Sequence, residues 1–185
     1  MKFNSAIHHR KSIRLKNYDY SQAGLYFITV CIEGRHCLFG HIPNDSMILN
    51  DAGKLIASQW NELDNRFPSI ALHEYVVMPN HFHGIIEFVG KSLCGYPSSV
   101  GAIPCGCPSS RNPDLTIGDV VGAFKSLSTN EYIQNVKQNN WQPFAGKLWQ
   151  RNYYEHIIRN EEEYLKIAEY IQNNPLKWQE DTYHI

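Results

Sequence analysis

The spacing of apolar residues divides the chain into strands and helices. Residues 25–32 are β-branched or aromatic at nearly every position and lie between Gly24 and Gly34. Both faces are apolar, which predicts a central strand. From a cap at Asn50 or Asp51, residues Leu55, Ile56, Trp60, Leu63 and Phe67 recur at helical spacing, and Pro68 sets the end of that helix. Residues 72–78 and 81–88 then read as an antiparallel hairpin broken at Pro79-Asn80. A second helical stripe, Ile117, Val120, Val121, Phe124 and Leu127, starts after Thr116. Residues 148–158 predict a short extended piece. Asn160, followed by Glu161, Glu162 and Glu163, has the cap and first-turn acids of a last helix running to about Asn174, before Pro175.

Two segments depart from this pattern. Residues 90–116 are rich in Gly, Pro, Ser and Cys and contain a near-repeat, Cys94-Gly-Tyr-Pro-Ser-Ser and Cys105-Gly-Cys-Pro-Ser-Ser. Such a stretch predicts a flexible surface excursion. Cys105 and Cys107 lack a second ligand pair at zinc spacing, which argues against a structural zinc site. The other segment is the start of the chain, where Lys2, Arg10, Lys11, Arg14 and Lys16 precede the first acid, Asp19. Residues 1–24 therefore read as a basic arm that could follow a phosphate backbone. Residues 25–178 form a single domain and 179–185 a C-terminal tail. Overall charge adds no argument for nucleic acid, since 17 basic and 18 acidic residues give a net charge of −1. No apolar run approaches the ~18 residues of a membrane span, and no secretory-type apolar segment opens the chain. Five cysteines without framework spacing fit a reducing compartment, so a cytoplasmic location is expected.

Chemistry concentrates at two places. His81 and His83 are two apart on a predicted strand, so both imidazoles emerge on one face while Phe82, Ile86 and Phe88 face the core. Two neutral imidazoles side by side suit a divalent cation, although short His-x-His patterns also occur as ordinary sheet residues. On the last helix Tyr164, Ile167, Ala168 and Ile171 form the buried stripe. Tyr170 lies about 120° from its centre, with Asn174 almost above it. A phenol, with pKa near ~10, is a poor nucleophile unless its target is strongly polarised.

The ordered set Val76-Val-Met-Pro-Asn-His-Phe-His-Gly84, Trp149-Gln-Arg151, Glu155-His-Ile-Ile-Arg-Asn160 and Tyr170-Ile-Gln-Asn-Asn-Pro175 resembles the single-tyrosine HUH transposases. HUH stands for histidine, hydrophobic residue, histidine. Within them the chain is most similar to the REP-associated tyrosine transposases, over roughly residues 26–178. The resemblance implies an α+β, ferredoxin-like antiparallel sheet with helices packed on it. It implies a metal-dependent endonuclease and strand transferase that cleaves single-stranded DNA at or near hairpins through a 5′-phosphotyrosine intermediate. Tyr170 would be the nucleophile, His81, His83 and Asn174 the metal ligands, and Mg²⁺ or Mn²⁺ the cofactor. Tyr153 and Tyr154 are the fallback nucleophiles. Arg10, Lys11, Arg14, Lys16 and Lys125 are candidate DNA-backbone contacts, Arg151 and Arg159 candidate groove residues. Tyr153 or Trp149 could stack on an unpaired base, with Trp149 better suited to the core. A homodimer is one assembly the resemblance allows. Asn174 precedes Pro175 and is therefore biased away from helical geometry.

Two other functional classes share part of this pattern. A histidine-triad nucleotide hydrolase would continue the alternation to a further histidine, where this chain has Ile85. A non-catalytic hairpin-binding protein derived from a transposase needs no nucleophile, and would bind DNA without attaching to it.

Overall fold

In a computed structural model the described residues are 19–89 and 115–184. The basic residues Arg10, Lys11, Arg14 and Lys16, and residues 90–114 of the excursion, with Cys105 and Cys107, lie outside them. Strand β1 is Gly24–Cys31, β2 Gly40–His41 and β3 Ile48–Leu49, followed by helices α1 Asp51–Asn61 and α2 Leu63–Arg66. The hairpin is β4 Ile70–Val77 and β5 His81–Phe88; then come α3 Ile117–Gln138, β6 Tyr154–Ile158 and α4 Glu161–Asn173.

The main sheet has the order β4-β5-β1-β6, antiparallel throughout. This is an α+β arrangement, an antiparallel sheet carrying helices. β1 is central, as its two apolar faces predict. Tyr26, Ile28 and Val30 enter the larger core, while Phe27, Thr29 and Cys31 alternate onto the other face. β5 does the same with Phe82, Ile86 and Phe88 against His81, His83 and Ile85.

Helices α1 and α3 cover the first face. Asn50 caps α1, its Oδ1 accepting from the Gly53 N–H at 2.9 Å while its Nδ2 donates to the Leu38 carbonyl. Thr116 and Asp119 form a reciprocal capping box at the start of α3. The helix expected to continue to Phe67 is divided at Glu62, whose N–H reaches both Ser58 and Trp60 carbonyls. The apolar stripe survives the break, because Trp60 and Leu63 remain fully buried. Trp60, Phe82 and Phe124 meet at centroid distances of 4.6 to 5.5 Å.

Gly84 makes this packing feasible. A Cβ there would sit 2.6 Å from Trp60 Cζ2 and 2.9 Å from Phe82 Cε1. Gly84→Ala should therefore cost about 1–3 kcal/mol through overpacking. Urea unfolding would register this as a lower midpoint at constant slope, and an unchanged midpoint would contradict the close approach.

The extended piece expected over 148–158 is strand only from Tyr154. Earlier residues are held as a loop. Trp149 bridges to Ile32, and its Nε1 donates to Ser128 Oγ at 2.9 Å. Lys125 Nζ donates to the carbonyls of Gln150 at 2.6 Å and Arg151 at 3.1 Å. These bonds fasten the loop to α3.

Helix α4 covers the second face. Asn160 caps it, accepting from the Glu163 N–H at 2.8 Å. Glu163 accepts from the Arg159 N–H, which, with His156, holds its carboxyl below the usual range. Ile171 packs with Phe27, Ile85 and Ile158. At the same helix, Tyr164 donates to Glu74 at 2.7 Å. After α4 a 3₁₀ turn, Pro175–Glu180, reverses the chain.

Candidate active site and metal centre

β5 presents His81 and His83, both fully buried, on the face beneath α4. Their Nε2 atoms are 3.0 Å apart, with the rings nearly perpendicular. Each imidazole is oriented through its other nitrogen. Asn80 Nδ2 donates to the Arg35 and Tyr183 carbonyls, which leaves its Oδ1 to accept from His81 Nδ1 at 2.9 Å. His81 therefore turns an Nε2 lone pair toward His83. His83 Nδ1 is 2.8 Å from Thr29 Oγ1, its register neighbour on β1.

Burial sets the protonation state. His81 is pushed down to about 4, opposed in part by the Asp181 charge and the Asn174 amide. His83 falls well below the ordinary histidine range, from burial first and then from His81. Both imidazoles are neutral at pH 7 and available as ligands.

The C-terminal reversal brings a carboxylate to this pair. Asp181 Oδ2 is 3.8 Å from His81 Nε2 and accepts from Asn174 Nδ2 at 3.2 Å. His81, His83 and Asp181 each offer a ligand atom, all within 4.8 Å of one another. Asn174 is buried, and its Oδ1 has no hydrogen-bond partner. Two imidazole nitrogens, a carboxylate oxygen and the orphaned Asn174 amide oxygen form a donor set that fits a divalent cation, and the amide oxygen meets no other demand in the fold. The site belongs to residues assigned from sequence to a C-terminal tail as much as to the sheet. Tyr183 lies against His81 at 4.7 Å between ring centroids, and Arg35 donates to the Thr182 carbonyl at 3.1 Å.

Tyr170 sits at the flank of α4, 41% exposed, as its displacement from the apolar stripe predicts. Its hydroxyl is 3.4 Å from His83 Nε2. Phe27 stacks on His83 and meets the Tyr170 ring edge-on, fixing both. Burial, then the Asp181 and Tyr183 charges, push the phenol up to about 12. Asn174 keeps helical geometry (φ −59°, ψ −41°) despite Pro175, because the chain continues directly into the 3₁₀ turn. Cys31, the register partner of His81, is buried and its thiol is pushed up to about 11. It is no thiolate at neutral pH.

The remaining sequence candidates are dispersed. Lys125 is occupied by the loop carbonyls already described. Arg151 and Arg159 are both exposed. Arg151 precedes β6 at the histidine end of the sheet. Arg159 follows β6 five residues beyond Tyr154, about 17 Å along the strand from the Tyr154–Thr29–His83 row. Tyr154 is exposed on that row, while Tyr153 packs against the larger core. Trp149 is a core residue. Asp181 was not legible from spacing, since its place depends on the 3₁₀ reversal; the only signal is an acid in the few residues after a second aromatic anchor, Trp178.

An uncharacterized protein of Haemophilus influenzae is 44% identical over 186 residues, covering 100% of this chain and 98% of that protein. The chain belongs to the same family as this Haemophilus protein. No protein-family model matches it. The fold is shared with a solved REP-associated tyrosine transposase bound to a REP hairpin. That match has a TM-score of 0.54 and 19% identity, and it covers 89% of this chain and 74% of the other. Thus the suspected fold kinship with tyrosine transposases holds. Among the described residues no helix is long and apolar enough to cross a membrane.

Proposed function

We propose that this protein is a divalent-metal-dependent endonuclease and strand transferase acting on single-stranded DNA at or near hairpins, with Tyr170 as nucleophile. The observation that carries this reading is the Tyr170 hydroxyl 3.4 Å from His83 Nε2, beside imidazoles whose ring nitrogens converge at 3.0 Å. A phenol kept protonated at neutral pH needs an electrophile made reactive by its surroundings. The four-donor cluster beside it suits that need. The hairpin bound by the structural neighbour supports the same substrate class.

His81, His83 and Asp181, with Asn174 Oδ1, would hold Mg²⁺ or Mn²⁺, which when bound neutralises charge on a phosphate oxygen. The mixed nitrogen and oxygen set suits Mn²⁺ better than Mg²⁺. Tyr170 Oη attacks phosphorus, and the P–O3′ bond breaks with its electron pair going to the 3′-oxygen. The proton lost by the phenol is balanced by one gained there. The products are a 3′-hydroxyl and a strand joined through its 5′-phosphate to Tyr170. Attack by a 3′-hydroxyl on that phosphotyrosine reverses the step, releases the phenol and reseals DNA with no external energy. Phe27 and Thr29 hold His83, while Asn80 holds His81, so the ligands need little rearrangement.

The test is incubation of the purified protein, with Mn²⁺ or Mg²⁺, with a panel of hairpin oligonucleotides that carry single-stranded flanks, including sequences copied from the DNA flanking the gene. A denaturation-resistant protein–DNA adduct is expected with metal and none after chelation. Tight hairpin binding with no adduct under any metal would support the non-catalytic binding protein instead.

A further inference from the structure

An attached strand must leave the site past the Tyr170 ring, which is closed on its imidazole side and exposed on the other. His83 lies 5.3 Å away and Phe27 6.1 Å away, between ring centroids, and Asn174 is buried one turn beyond. The solvent side opens into a cleft of about 180 Å³ lined by Lys166, Glu169, Tyr170, Asn173 and Lys177. That volume is below the ~300–1,000 Å³ of ordinary small-molecule pockets, too small to enclose a whole nucleotide but open to a backbone running along it.

The charges in the cleft are not equivalent. Lys166 is engaged by Glu162 at 2.6 Å. Lys177 has no ion-pair partner among the described residues, and its backbone is fixed by the turn that buries Asn174, its N–H bonding the Asn174 carbonyl at 3.1 Å. The cation without a carboxylate partner is thus tied to the same turn as a candidate ligand and shares a cleft with the nucleophile.

Resting on the strand-transfer reading, we infer that this cleft is the exit subsite for the attached strand. Lys177 contacts the first phosphodiester 3′ to the phosphotyrosine. Asn173 offers an amide to the same backbone. Glu169 opposes the phosphate electrostatically and keeps the subsite weak enough for the strand to be passed on.

The experiment measures binding of the protein to a fluorescein-labelled hairpin oligonucleotide with single-stranded flanks, the tightest binder of that panel. It is run over a salt series in the Tyr170→Phe background. Lys177→Ala should weaken binding about three- to tenfold at low salt and reduce the salt slope by about 0.7, the loss of one single-strand phosphate contact. Lys177→Arg should restore both, and Glu169→Gln should tighten binding. With Tyr170 intact, Lys177→Ala should slow adduct formation by a similar factor. Unchanged affinity, slope and adduct rate in Lys177→Ala would overturn the subsite while leaving strand transfer standing. A Lys177-dependent slope in a protein that forms no adduct would keep the cleft as a DNA contact and sink the covalent chemistry.

Discussion

Tyr170→Phe is expected to abolish the covalent protein–DNA adduct, by at least about a thousandfold in rate, while hairpin affinity and stability stay close to wild type. The substitution removes one oxygen. That oxygen makes a long contact, 3.4 Å to His83 Nε2, beside the Asn174 amide, and the ring that packs on Phe27 is retained. A half-exposed hydroxyl with so little bonding contributes under about 0.5 kcal/mol to folding. Chemistry and structure are therefore separable here, which is seldom so at a buried residue. His83→Ala would be less informative, since it also empties a buried space beside Phe27. Adduct formation by Tyr170→Phe at the wild-type rate would transfer the role to another tyrosine, with Tyr154 the nearest exposed alternative on the His83 row.

The second large effect concerns Asp181. Its replacement by alanine should weaken Mn²⁺ binding at least tenfold, about 1.4 kcal/mol, in calorimetric titration of the full chain. The carboxylate also accepts from Asn174 Nδ2 at 3.2 Å and from the Tyr183 N–H at 2.7 Å. Losing it leaves a buried amide without its acceptor, and a fall in stability of about 1–3 kcal/mol should accompany the change. Asp181→Asn separates the two effects, keeping shape and an acceptor oxygen while removing the charge. Equal Mn²⁺ affinity in Asp181→Asn and wild type would reduce the ligand set to His81, His83 and Asn174, the set the family resemblance implies.

The contrast between those ligand sets shows what a linear sequence can and cannot carry. Strand alternation places His81 and His83 together because a two-residue period is a property of the backbone. The β5 bounds, His81–Phe88, follow from the same pattern. The flank position of Tyr170 was equally legible, since helical spacing alone moves it off the stripe of Ala168 and Ile171. Asp181 was hidden because its position depends on a chain reversal after Pro175, and turn direction is a tertiary outcome. Proline bias at Asn174 pointed the wrong way for a related reason. A direct run into the 3₁₀ turn and a buried amide bonded to Asp181 outweigh a local steric preference. Lys125 has a structural use that its place on a helix face did not reveal. Beside a loop whose carbonyls need donors, a lysine on α3 is drawn inward to satisfy them.

In the proposed reaction the phenol on α4 becomes covalently joined to DNA at the imidazole site. Tryptic mapping of the Mn²⁺-dependent adduct tests it most directly, because cleavage after lysine and arginine divides the candidate tyrosines among different peptides. Tyr170 falls in 167–177, Tyr153 and Tyr154 in 152–159, Tyr164 in 160–166 and Tyr183 in 178–185. The nucleotide mass is expected on 167–177, with fragment ions locating it on Tyr170. A nucleotide carried by 152–159 instead, with 167–177 recovered unmodified, would contradict it.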